Sequence, residues 1–173
     1  GYIDTLTTEE RVSYLIKPIL KVLNQSSSPL TIAEICSQMI KIDPYIAKYA
    51  EAVYTSGKTG KPYKDFTTRF SLAIKELEFL KILSREGKGK KSRILLTQKG
   101  QGLDISTLSV EKEIRVKAQD YWKERRKKVT EKKQRRLMWQ KRKKGCYGGQ
   151  LQTLKNLVSL GINLKLVMLL RIS

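Results

Sequence analysis

The stretch SVEKEIRVKAQDYWKERRKKVTEKKQRRLMWQKRKK, beginning at Ser109, limits the fold more than any other part of this 173-residue chain. Residues 111–144 hold 16 basic and 5 acidic residues and no Gly or Pro. A continuous helix over 110–144 would span roughly 50 Å at 1.5 Å per residue. Val110, Ile114, Ala118, Tyr121 and Trp122 give its first part a sparse apolar seam, able to pack on another element or a partner. From Lys123 to Arg136 the only strongly apolar residue is Val129, and basic side chains point in every direction. A helix basic all round has no face to bury, so it tracks a polyanion or stands solvated. The core must therefore be built elsewhere.

Composition points the same way. The chain carries 36 Lys+Arg against 16 Asp+Glu, a net +20, and such an excess repels itself unless an anionic partner offsets it. There is no histidine, and Cys36 and Cys146 lie far apart. His-based acid–base catalysis, Cys–His and Ser–His–Asp nucleophiles and Cys/His zinc sites are thereby excluded. Two free thiols in a reducing compartment are expected. No apolar run reaches the 18 residues of a membrane helix and the N-terminus carries no signal-peptide core, so a cytoplasmic or nucleoid-associated protein without membrane contact is expected. The basic run lacks the apolar face that an interfacial helix needs.

Residues 1–105 read as the folded domain. Thr7 and Thr8 before Glu9 and Glu10 cap a helix with Val12, Leu15, Ile16, Ile19, Leu20 and Leu23 on its apolar face, and Pro18 either kinks it or opens a second helix. NQSSSP is a loop. Thr31 caps a short helix bearing Ile32, Ile35, Cys36, Met39 and Ile40, and Asp43-Pro44 opens another that Gly57 is expected to stop. KTGKPYK reads as a loop. In DFTTRFSLAIKELEFLKIL, residues Phe66, Phe70, Ala73, Ile74, Leu77 and Leu80 form a buried helical stripe. KILSRE and SRILLTQ then read as two strands joined across Gly87-Lys88-Gly89-Lys90-Lys91. Helices followed by a basic hairpin give a mainly α fold with a small β-hairpin, in the order of a winged helix-turn-helix.

In that order the last helix enters the major groove and the hairpin lies over the neighbouring backbone. The expected DNA contacts are Lys64, Thr67, Thr68, Arg69, Ser71 and Lys75 at the helix, and Lys88, Lys90, Lys91 and Arg93 at the wing. Arg69 is the expected base reader, because a guanidinium pairs bidentately with guanine. The lysines are expected on phosphates, as are Arg125, Arg126, Arg135 and Arg136 of the basic extension, residues 106–145. Trp139 either anchors the next segment or stacks on a base.

The runs IKPILKVLNQ, LTIAEICSQMI, YTSGKTGKPYKDFTTRFSLAIKELEFLKIL and SRILLTQKG together resemble the N-terminal winged-helix domain of Mrr-type restriction proteins. The resemblance covers residues 16–102 and implies DNA binding within a restriction or modification system. That family's nuclease domain would carry an α/β D…(D/E/Q)xK metal site. Residues 111–173 hold only Glu111, Glu113, Asp120, Glu124 and Glu131 as acids, on a helical pattern, so no catalytic residue, metal site or cofactor is expected. SGKTGK fails as a phosphate loop because position 52 is Ala where a Gly is needed. GCYGGQ, with one Cys, cannot hold zinc.

Residues 146–173 are mostly apolar, interrupted at Gly161, and are expected to pack on the first zone or to pair with a second copy as a homodimer. Three other readings stay open: an RNA- or ribonucleoprotein-binding protein, a fragment of a restriction endonuclease, and an assembly protein dominated by the apolar tail.

Overall fold

A computed structural model describes residues 2–161; within its last helix nothing is said of the side chains of 146–151, 153 and 154. The chain divides into two compact units, Gly1–Trp122 and a second from Lys123 onward. The first unit extends beyond residue 105 because Leu108, Ile114 and Ala118 are buried in it.

A 3₁₀ turn, Tyr2–Thr5, precedes α1, Thr8–Gln25. The Thr7 hydroxyl accepts from the Glu10 N–H at 3.2 Å and the Glu10 carboxylate accepts from the Thr7 N–H at 2.7 Å, so two otherwise orphaned donors are satisfied at once. Pro18 lies inside this one helix, which continues past it. The fully buried Leu15, Ile16, Ile19 and Leu20 on either side supply the packing that offsets the lost backbone bond. Strand β1, Leu30–Thr31, leads directly into α2, Ile32–Ile42, capped by the same reciprocal arrangement between Thr31 and Glu34. Asp43 caps α3, Pro44–Glu51, through the N–H groups of Tyr45 and Ile46, and its other carboxylate oxygen accepts from the Tyr14 hydroxyl at 2.8 Å.

The stop expected at Gly57 comes earlier. Helix α3 ends at Glu51, and the stretch read as a loop is a hairpin of β2, Tyr54–Thr55, and β3, Pro62–Tyr63. Tyr54 is drawn out of the helix by tertiary partners, since its hydroxyl donates to Asp4 at 2.5 Å and the Arg11 guanidinium sits 5.2 Å from its ring. Helix α4, Asp65–Phe79, follows, then β4, Leu83–Glu86, and β5, Arg93–Leu96. The three-stranded antiparallel sheet has the order β1-β5-β4, with Leu30 opposite Ile94 and Leu83 opposite Leu96. The molecule is mainly α with a small antiparallel sheet, in which β1 is an edge strand paired with β5.

The LTQKG run has a steric reason. Thr97 caps the single turn α5, Gln98–Gln101, and its hydroxyl also donates to the Ile82 carbonyl at 3.1 Å. A Cβ on Gly100 would meet that same carbonyl oxygen at 2.4 Å, which no L side chain tolerates. Gly100→Ala is expected to destabilise the first unit by about 1–3 kcal/mol, as overpacking against backbone does, and a lowered urea midpoint would register it. An unchanged midpoint would mean that α5 shifts without cost.

A stretch of π-helix, Glu111–Arg115, opens into α6, Val116–Ser159. The helix runs through Gly145 and ends at Leu160-Gly161, where Gly161 takes φ +71° and donates to the Val158 carbonyl. In the second unit every residue from Lys123 to Gly145 is exposed. Of the expected association segment, 146–173, residues 146–159 continue α6 and residues 162–173 lie outside the described residues. Among the described residues no helix is long and apolar enough to cross a membrane.

Candidate nucleic-acid interface

Helix α4 buries Phe66, Phe70, Ala73, Ile74 and Leu77, which fixes the face left over. Thr67 and Thr68 in its first turns are exposed, Ser71 and Lys75 are half-buried, and Lys64, the residue before the helix, is exposed. The C-terminal half of α4 is flanked by the start of α6: the Phe79 and Tyr121 rings lie 5.1 Å apart, and the Trp122 indole donates to Glu76 at 2.5 Å. The open part of the helix is therefore its N-terminal half.

Arg69, the expected base reader, is partly engaged within the fold. Its Nε donates to Asp65 Oδ1 at 3.1 Å, one helical turn back, and the side chain is 21% exposed. Asp65 is fully buried and also accepts from Arg11 at 3.0 Å and from the Tyr49 hydroxyl at 2.6 Å. Burial alone would raise its carboxyl, but the Tyr49 and Arg11 hydrogen bonds and the two guanidinium charges outweigh that and hold it below the ordinary range. Arg69 thus belongs to a structural ion cluster at the foot of α4, and a base contact from it has only its Nη atoms to use.

The wing is tied to this face through β4 and β5, Leu83–Glu86 and Arg93–Leu96. Gly87 and Gly89 take φ +80° and +69°, a region that favours glycine, and so permit the tight path at the tip. Lys88, Lys90 and Lys91 are all exposed there. Arg85, which the sequence does not single out, joins wing to helix: its guanidinium donates to Glu78 of α4 at 2.6 and 3.2 Å and to the buried Ser92 hydroxyl at 3.1 Å. Ser92 in turn donates to the Gly89 carbonyl at 2.8 Å, so the tip is tied to the helix through one arginine. The signal available was the Glu78–Arg85 pair straddling the helix end. Arg93 is exposed on β5 opposite Thr31 and Glu86. The Thr31 backbone N–H first, and the Arg93 charge as well, hold the Glu34 carboxyl below its ordinary range. Arg93 therefore has acidic neighbours, which the three tip lysines lack in the register of the sheet.

In the second unit, Arg125, Arg126, Arg135 and Arg136 are exposed, and Lys143 Nζ lies 4.0 Å from the Trp139 ring centroid. Trp139 thus already holds a cation and remains exposed. Among the described residues no group of three or more Cys, Asp or Glu side chains is arranged to hold a metal ion. Comparison with family models, with curated proteins and with solved structures finds no match.

Proposed function

We propose that this protein binds duplex DNA through α4 and the wing, with further phosphate contacts from the basic part of α6, and that it serves a restriction or modification system as its resemblance implies. The observation that carries the reading is the tethered basic wing: three exposed lysines on a glycine-shaped tip, locked to α4 by Arg85. A wing held this way meets phosphates beside the groove that α4 occupies without paying for its own ordering. Thr67, Thr68, Ser71 and Lys75 are the groups offered to base edges or sugar, while Arg69 holds the turn that presents them. Lysines that contact phosphates add affinity without sequence preference, so a sequence-tolerant binder is the outcome.

The exposed basic helix from Lys123 suits structured RNA equally well, and the test separates the two. Labelled duplex DNA, unmethylated and methylated, and structured RNA of equal length are titrated with the full chain across a salt series. Preference for duplex, with log K falling linearly in log salt, is the expected result. The control is Lys88→Ala/Lys90→Ala/Lys91→Ala, expected to reduce the slope by up to about 2.7, at about 0.9 per phosphate contact. Preference for RNA, unaffected by the wing variant, would overturn the proposal.

A further inference from the structure

The hairpin between α3 and α4 packs against the core through Tyr54 at its base, while Gly57 to Lys64 stand exposed. Its strands are two residues each; Val53 just before it is 61% exposed and Tyr63 within it 42%. Yet its geometry is closed and anchored. Ser56 N–H donates to the Lys61 carbonyl at 2.9 Å and Gly60 N–H to the Ser56 carbonyl at 2.8 Å, with Gly60 at φ +65°. Thr59 N–H donates to the Ser56 hydroxyl at 3.3 Å. At the base the Tyr54 and Tyr63 rings pair at 6.0 Å, and Tyr54 is held by Asp4 and Arg11. Backbone this well fixed, in a tip exposed from Gly57 to Lys64, is pre-organised for a ligand.

Its chemistry states which ligand. From Tyr54 to Lys64 there are three lysines and no acid, and Lys58, Lys61 and Lys64 are all exposed. An open hollow at the tip is lined by the hydroxyl-bearing Ser56 and Thr59 together with Lys58 and Lys61. Hydroxyl donors and ammonium groups around an open hollow suit a phosphodiester, not an enclosed small molecule. The hairpin runs into the N-terminus of α4, whereas the wing starts from its C-terminal end. Fifteen helical residues place those ends roughly 22 Å apart, more than the ~12 Å width of a major groove.

We infer that β2–β3 is a second basic arm, contacting the DNA backbone at the N-terminal end of α4 while the wing contacts it at the other end. The inference rests on the duplex-binding reading above. Lys58 and Lys61 supply the phosphate contacts, and the two arms together set how α4 is seated in the groove.

The test is Lys58→Ala/Lys61→Ala in the full chain, titrated with duplex DNA across a salt series beside wild type and the wing variant. Lys64 is left intact because it precedes α4 directly. The salt slope is expected to fall by about 1.8, at about 0.9 per contact. Lys58→Arg/Lys61→Arg is expected to restore it. An unchanged slope for the alanine pair, with the wing variant reduced, would overturn the second arm and leave the duplex reading standing. Absence of salt-dependent duplex binding in wild type would remove both. A slope lost in the alanine pair and not recovered with arginine would also count against a phosphate contact.

Discussion

Asp65→Ala is expected to lower the unfolding free energy of the first unit by about 3–5 kcal/mol, the usual cost of removing one partner from a buried ion cluster. The side chain is fully buried, and its two oxygens serve Arg11, Arg69 and Tyr49. Arg11 also donates to the carbonyls of Ile3 and Asp4, so one carboxylate gathers the N-terminal turn, α1, α3 and α4. Removing it strands two guanidinium groups in a site with little solvent. Asp65→Asn keeps the volume but not the charge, and is expected to cost nearly as much. The pH dependence has a definite sign. Because the folded-state carboxyl titrates below its ordinary value, the unfolded chain binds the proton more readily, and stability rises with pH in that window. The contribution is complete above the unfolded carboxylate value of about 3.9 and is lost as pH falls through the lower folded value. Urea unfolding of wild type and Asp65→Asn at several pH values from neutral downward checks both points. The two curves should converge in acid, and parallel curves would show that Asp65 is not the linked group.

The same cluster shows how far a sequence can be read. Capping signals survive intact, because they depend only on residues three apart: Thr7 with Glu10, Thr31 with Glu34, and Asp43 ahead of Pro44. The buried stripe of α4 and the wing strands were legible for the same local reason. Elements that exist through distant partners were not. Strand β1 is two residues long and forms because β5 lies beside it. Hairpin β2–β3 contains Gly57, Gly60 and Pro62, so propensity argues for loop, and it is Asp4 and Arg11, more than forty residues back, that hold Tyr54 in place. Asp65 and Arg69 stand one helical turn apart, so their pairing was available as a warning that Arg69 would be engaged. Arg11, 54 residues away from Asp65, left no such trace. Glu76 was equally hidden: it sits fully buried in a helix that reads as amphipathic, its Oε2 without a hydrogen-bond partner and its Oε1 accepting from Arg115 and Trp122 at the start of the basic segment. That contact explains why the apolar seam of residues 110–122 belongs to the first unit while the residues after it do not.

Helical geometry divides Arg125, Arg126, Arg135 and Arg136 of α6 into unequal pairs, and on the proposed function these pairs should behave differently. Arg125 and Arg136 are eleven positions apart, which returns them to within about 20° of each other on a helix, some ~16 Å along its axis. The same side carries Lys132 and Lys143, together with the exposed Val129 and Trp139. Arg126 and Arg135 are nine positions apart and point to opposite sides. A helix lying along one nucleic-acid backbone uses one side at a time. Arg125→Ala/Arg136→Ala is therefore expected to reduce the salt slope by about 1.8, and Arg126→Ala/Arg135→Ala by no more than about 0.9, one contact's share. Alanine is at least as good a helix former as arginine, so neither pair should lose helix, and circular dichroism separates a charge effect from a folding one. Equal losses from the two pairs would show that the helix meets its partner from all sides, as a diffuse cation and not as a docked element. A loss confined to the first pair would place Arg125, Lys132, Arg136 and Lys143 on the side that faces the phosphates.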